Sequence, residues 1–218
     1  VKFRDTLNDT DRHFVERMEA FGDVVVGFSL SLLALQLVTP DSDADVFGNP
    51  LRYVLFFATF AIIAAFWMRF TRIMTIGFAP RPLDTVMLFT YLAFVALLPY
   101  SLQTLIRVGH GHLFASLALY LSVILGVTTT SLGLNIRGAR NAWSVLDTVQ
   151  RSKLWRSIII NFIGCISLAS SLAFDLTNQP FASAGAILVM AAAMRVSKFF
   201  FTTPRPRLLG ISDRTETA

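Results

Sequence analysis

The residues of this chain best placed to do chemistry lie along one apolar run. Across 17–37, Arg17 and Asp23 stand at its mouth, and Gly27, Ser29 and Ser31 follow deeper in. Charged and hydroxyl groups are costly at membrane depth, so they usually face protein or a water path. A helix that only tethers has no need of them. What they offer is non-covalent: oxygen contacts for an ion, set beside bulky apolar groups. Residues one helical turn apart share a face, and from Val24 that face carries Val24, Phe28, Ser31, Leu32 and Leu35. Apolar constrictions gate by dewetting, and hydroxyls or carbonyls replace the hydration of an ion. On periodicity alone, an ordinary helix-packing face is the simpler reading. Arg17 and Asp23 are too far apart for the i, i+3 or i, i+4 contact of a direct intrahelical pair. They either mark the end of the span or tie neighbouring helices together.

Signals for covalent chemistry are thin. His110 and His112 alternate in Gly-His-Gly-His at a loop, with no third or fourth ligand nearby except the acidic stretch Asp41, Asp43 and Asp45. Solvated loop histidines are the simpler reading there. His13 sits in a basic N-terminal segment. No Ser-His-Asp constellation falls at a common depth, no glycine-rich phosphate loop follows a strand, and no strands are expected. The single Cys165 lies in an apolar run and reads as a small packing residue. The chain is therefore not expected to be an enzyme or to carry a cofactor.

Positioning the first run requires a membrane fold. Of 218 residues, 54% are hydrophobic and only 15% charged, against about 25% charged in soluble domains. A crossing helix takes roughly 20 apolar residues. Six spans are predicted, near 20–38, 51–70, 83–105, 112–134, 155–174 and 181–201, with breakers Gly77, Pro80 and Pro82 between the second and third. The expected fold is all-α, a six-helix domain over 1–204 followed by a mobile tail, 205–218. The first span is too long for a signal peptide and lacks a small-residue cleavage pattern.

Charge sets the orientation. With the N-terminus inside, all of the 19 Lys and Arg except Arg52 and Arg107 fall on inner segments. A bias this large implies both termini in the cytoplasm. It also accounts for the net charge of +5 without nucleic acid as a partner. The longest inner connection, 136–156, reads equally as a basic loop or as an interfacial helix anchored by Trp143 and Trp155.

The motif Arg17-x-x-x-Phe21-Gly22-Asp23, followed by a helix ending Leu32-Leu33-Ala34-Leu35, resembles the transmembrane protein 175 family of potassium channels, whose hallmark is Arg-x-x-x-Phe-Ser-Asp. Phe66-Trp67 in the second span and Leu97-Leu98-Pro99-Tyr100 in the third agree with it. The resemblance implies a homotetramer in the lipid bilayer whose first helices line a central pore for monovalent cations. Potassium would be the permeant ion, and a bacterial inner membrane the location. It assigns Phe28, Leu32 and Leu35 to the constriction, Ser31 to ion contact, and Arg17, Phe21 and Asp23 to anchoring the first helix. Three features depart from the family pattern. Gly22 replaces the motif serine, Arg69-Phe70-Thr71-Arg72 stands where a histidine pair is common, and Phe28 is larger than the usual residue. A secondary transporter and a non-conducting scaffold are the alternatives. A transporter calls for an internal repeat and charged groups near the midplane, of which Pro99 and the hydroxyls Ser167, Ser170 and Ser171 are the nearest hints.

Overall fold

The computed structural model describes residues 3–35 and 50–176, and among them every regular element is helical. A single 3-10 turn, Phe3–Thr6, leads into α1, Asp9–Leu35. Helix α1 starts earlier than the predicted span because its first turns are built for water. The Asn8 side chain accepts the Asp11 N–H at 2.7 Å, and Asp9 and Asp11 face the positive end of the helix dipole. Arg12 and Glu16 add an i, i+4 pair at 3.8 Å. Helix α2 is Pro50–Ile76.

Helical backbone then runs from Pro82 to Ala142, yet this stretch folds back on itself. A Cβ on Gly126 would meet the Phe94 ring, one on Gly133 would meet Met87, and Arg137 pairs with Asp84. Those contacts step along the two arms in opposite directions, as in an antiparallel hairpin with its bend near residue 110. The arms are α3, Pro82–Arg107, and α4, Phe114–Ala142. Arg81 is extended (φ −90°, ψ 149°) because a residue before proline avoids the helical region, and Pro82 then begins α3 where its missing N–H costs nothing. Helix α5 is Thr148–Leu176. Asp147 caps its start, accepting the Thr148 N–H at 2.7 Å, while Gln150 reaches back to the Asp147 N–H at 3.3 Å.

Each of these helices is long and apolar enough to cross a membrane, five among the described residues. The predicted sixth span and the tail lie outside them. The connection 136–156 is neither a loop nor a separate helix. Helix α4 continues to Ala142 and α5 begins at Thr148, leaving a short turn between them. Trp143 and Trp155 meet edge to face across that turn at 6.5 Å, and Arg151 lies 5.0 Å over the Trp143 ring. The basic residues mislead a span estimate because a helix does not end where its apolar character does.

The core joins α1 to the α3–α4 hairpin through α2, with Leu33, Ile63, Phe70, Leu88, Tyr91 and Val127 fully buried. Tyr91 is its centre. Its hydroxyl donates to the Phe66 carbonyl at 2.6 Å, and its ring stacks on Phe70 with centroids 6.4 Å apart. Helix α5 packs mainly on the hairpin, with Gly164 against Thr128 and the Cys165 thiol 3.7 Å from the Thr129 hydroxyl. Hydroxyls at membrane depth turn back on their own helix, as Thr128 does on the Ile124 carbonyl at 2.8 Å. A hydroxyl paired in this way leaves no unmet donor of its own facing hydrocarbon.

Candidate functional site

Helix α1 is buried on one side only. Val15, Gly22, Val26, Ser29 and Leu33 face the core. The opposite side of the helix is open: Val24 is 68% exposed, Phe28 63% and Leu35 79%. Ala20, Gly27, Ser31 and Ala34 are exposed beside them. At 3.6 residues per turn the open arc covers roughly 120° and is centred near Ser31. It has two edges of different character. Ala20, Gly27, Ser31 and Ala34 form a small-residue edge, and Val24, Phe28 and Leu35 form a bulky one. Leu32 lies on the flank, half-buried.

The two serines, of which periodicity put only Ser31 on the Phe28 face, have different settings. Ser29 is fully buried and donates to the Val25 carbonyl at 2.7 Å. Ser31 is exposed and donates to the Gly27 carbonyl at 3.0 Å. Once its proton is committed to the backbone, the Ser31 oxygen presents only lone pairs to the open side. A cation finds an acceptor there and meets no competing donor.

Three consecutive residues fasten the base of α1 to two helices. Phe21 meets Phe89 of α3 edge to face, with centroids 5.8 Å apart. Gly22 lies under the Phe70 ring of α2, so close that a Cβ would enter the ring. Asp23 accepts the Trp67 indole N–H of α2 at 2.8 Å. Arg17 takes no part in this clamp, since it is exposed and no ion pair to it forms among the described residues. Trp67 is the site residue that sequence reasoning missed as a partner. Its signal was an indole N–H at membrane depth, which needs an acceptor, with few carboxylates available to supply one.

The Gly22–Phe70 contact links two of the three departures noted in the sequence. A side chain at position 22 and a ring at position 70 cannot share this space, and the ring lies over bare backbone. Gly22→Leu is expected to cost about 1–3 kcal/mol of stability through overpacking. Pairing it with Phe70→Ala is expected to return part of that loss, measured as detergent-solubilised unfolding midpoints in a double-mutant cycle.

A second clamp lies just past the end of α2. A Cβ on Gly77 would strike the Gly138 backbone carbonyl, and Asn141 donates to the Gly77 carbonyl at 3.3 Å. Beside them Arg137 of α4 pairs with the buried Asp84 of α3. This corner sets the tilt of α2 against the hairpin, and through Trp67 and Phe70 it sets the seat of α1.

Comparison with known proteins bears on the sequence and the fold. Residues 17–99, which contain most of α1, all of α2 and most of α3, match the family model described as endosomal/lysosomal potassium channel TMEM175. The fold is similar to a crystal structure of a variant of the potassium channel MtTMEM175 in complex with a nanobody–MBP fusion protein. The TM-score is 0.67 at 18% identity, over 84% of this chain and 92% of that one. No curated protein matches the chain. Residues 17–99 thus resemble the TMEM175 potassium-channel family in sequence, and the fold is similar to that of a potassium channel bearing the same name.

Proposed function

We propose that the chain is a subunit of a homotetrameric cation channel that prefers potassium, with the open arc of α1 lining a central pore. The observation that carries this reading is the arc itself. It is unpartnered among the described residues, yet it combines a small-residue edge, bulky apolar side chains and one outward-facing hydroxyl oxygen. Small residues let membrane helices approach closely, so the edge containing Gly27 and Ala34 suits contact with the next subunit. The bulky edge then turns inward, where Phe28 makes the main constriction and Leu35 and Leu32 the rings around it. Ser31 offers its oxygen to a partly dehydrated ion one turn from Phe28. The Phe21-Gly22-Asp23 clamp fixes the rotation of α1, and so decides which side chains reach the pore. Arg17 is left free to work at a subunit boundary or at lipid headgroups.

Six spans with both termini in the cytoplasm, in a bacterial inner membrane, complete the reading. The charge bias supports the orientation. Permeation is passive, potassium is the permeant ion, and no cofactor takes part. The family match and the family's name favour a channel over a transporter or scaffold.

Reconstitution into planar bilayers tests the proposal. Ohmic potassium current that does not saturate with a counter-ion gradient is expected. Saturable, counter-ion-coupled uptake would make the protein a transporter. Ser31→Ala is expected to lower the potassium-over-sodium permeability ratio by about threefold to tenfold, the cost of one oxygen contact of roughly 0.5–1.5 kcal/mol. An unchanged bi-ionic reversal potential would remove Ser31 from ion contact.

A further inference from the structure

Away from the α1 arc, two adjoining cavities lie between α2, α4 and α5. The first, of about 250 Å³, is lined by Arg69, Arg72, Arg156, Ser157, Ile160 and Asn161. The second, of about 330 Å³, shares Arg69, Ile160 and Asn161 with it and continues between apolar side chains such as Ile62, Ile124, Gly164 and Leu168. One end of this space is therefore basic and the other is hydrocarbon-like. No carboxylate is among the described residues lining either part.

Asn161 marks the junction. It is 2% exposed, and neither its amide nitrogen nor its amide oxygen has a hydrogen-bond partner among the described residues. A buried amide with both ends unmet is expensive, and buried polar groups in native proteins are almost always satisfied. Arg69, whose guanidinium lies 5.7 Å over the Phe66 ring, borders the same space from α2. Arg72 and Arg156 approach closely enough for their like charges to oppose each other. The polar groups of the apolar part, by contrast, are already paired. The Tyr120 hydroxyl is 2.9 Å from that of Thr59, and Thr128 donates to its own helix. Nothing in that part asks for a polar ligand.

We infer that this space is a binding site for an anionic phospholipid. Its phosphate lies among Arg69, Arg72, Arg156 and Asn161, and an acyl chain fills the cavity between α2, α4 and α5. Guanidinium groups match phosphate oxygens in charge and geometry, and basic pockets between membrane helices take anionic headgroups. The Asn161 amide nitrogen donates to a phosphate oxygen. Its amide oxygen accepts from a headgroup hydroxyl, such as the glycerol of phosphatidylglycerol. A free anion would need only the basic end. The apolar part runs from Ile160 to Leu168 on α5, about 12 Å at 1.5 Å per residue, and that length calls for a chain. On α2 and α5 alike, the apolar part leads from the basic end towards the middle of the span.

Native mass spectrometry of the delipidated, detergent-purified protein tests the site. Phosphatidylglycerol and phosphatidylcholine of the same chain length are the probes, and inorganic phosphate is a third arm read by thermal unfolding. Phosphatidylglycerol is expected to be retained about tenfold or more over phosphatidylcholine and to raise the unfolding midpoint, while inorganic phosphate leaves the midpoint unchanged. Arg156→Gln is expected to remove most of that preference. Asn161→Leu is expected to do the same, yet to unfold no earlier than the parent when delipidated, because it deletes an unsatisfied amide. An Asn161 that merely held the fold would show the opposite. Equal retention of the two lipids, or parent-like retention in both variants, overturns the proposal. A midpoint raised as much by inorganic phosphate as by phosphatidylglycerol overturns it too, in favour of a soluble-anion site. Retention on the parent protein decides the matter even if a variant fails to fold. No arm reads ion current, so the result stands apart from that of the channel proposal.

Discussion

Arg137→Ala is expected to destabilise the fold by about 3 kcal/mol or more, the largest loss from any single replacement considered. The reason is an asymmetry in the α3–α4 clamp. Asp84 is almost wholly buried, with its side chain 3% exposed, whereas the Arg137 side chain is 30% exposed. One carboxylate oxygen meets Arg137 and the other has no hydrogen-bond partner, so the buried charge depends on that guanidinium. Deleting one member of a buried pair strands the other, at a cost of roughly 3–5 kcal/mol. Asp84→Asn leaves a neutral amide beside a guanidinium that water still reaches. Its expected cost is closer to 1 kcal/mol, that of an ordinary hydrogen bond. Joining the two replacements is expected to recover much of the Arg137→Ala loss. Equilibrium unfolding of the four proteins in one detergent closes the cycle. Equal costs for the two single variants would mean that water reaches Asp84 and that the pair only decorates the corner.

That pair also shows where sequence reading stops. The spans were legible because hydrocarbon thickness imposes a length that composition reveals directly, and the five that fall on described residues are helices long and apolar enough to cross a membrane. Their ends were less legible. Helix α1 begins in water on an Asn8 cap, and α4 carries Arg137 and Arg140 without a break. Helical hydrogen bonding continues wherever capping and side-chain partners allow it, while hydropathy reports only the part in lipid. Periodicity placed Phe28, Ser31 and Leu35 on one face of α1, and that face is open in the subunit. It put Leu32 there as well, at i+4 from Phe28, and Leu32 is half-buried on the flank. It could not find Trp67 opposite Asp23, or Phe70 over Gly22. Pairings between helices depend on rotation and tilt. Those follow from close contacts such as Gly77 on Gly138, which no spacing rule along one helix contains.

The rotation of α1 leads to the second large expected effect. In the proposed tetramer Phe28→Ala is expected to raise single-channel potassium conductance by about tenfold or more, as a barrier lowered by 1.4 kcal/mol would. Phe28 is largely exposed within its subunit and makes no aromatic contact with its own core. Its removal should therefore leave the fold intact, and unfolding midpoints within about 0.5 kcal/mol of the parent are expected, as for surface positions. Fourfold symmetry turns one substitution into the loss of four rings at one height. A wider, less apolar ring wets more readily, and dewetting at such a ring is what blocks ions. Ser31 would keep its oxygen in place, because its proton is held by the Gly27 carbonyl on the same helix. Selectivity should then fall less than conductance rises. Ser29→Ala is the control for that separation. Its hydroxyl is buried against the core, so the variant should change stability slightly and leave current unchanged. A Phe28→Ala channel with parent conductance would move the constriction to Leu32 or Leu35. A protein silent in both forms would remove the pore from α1 altogether.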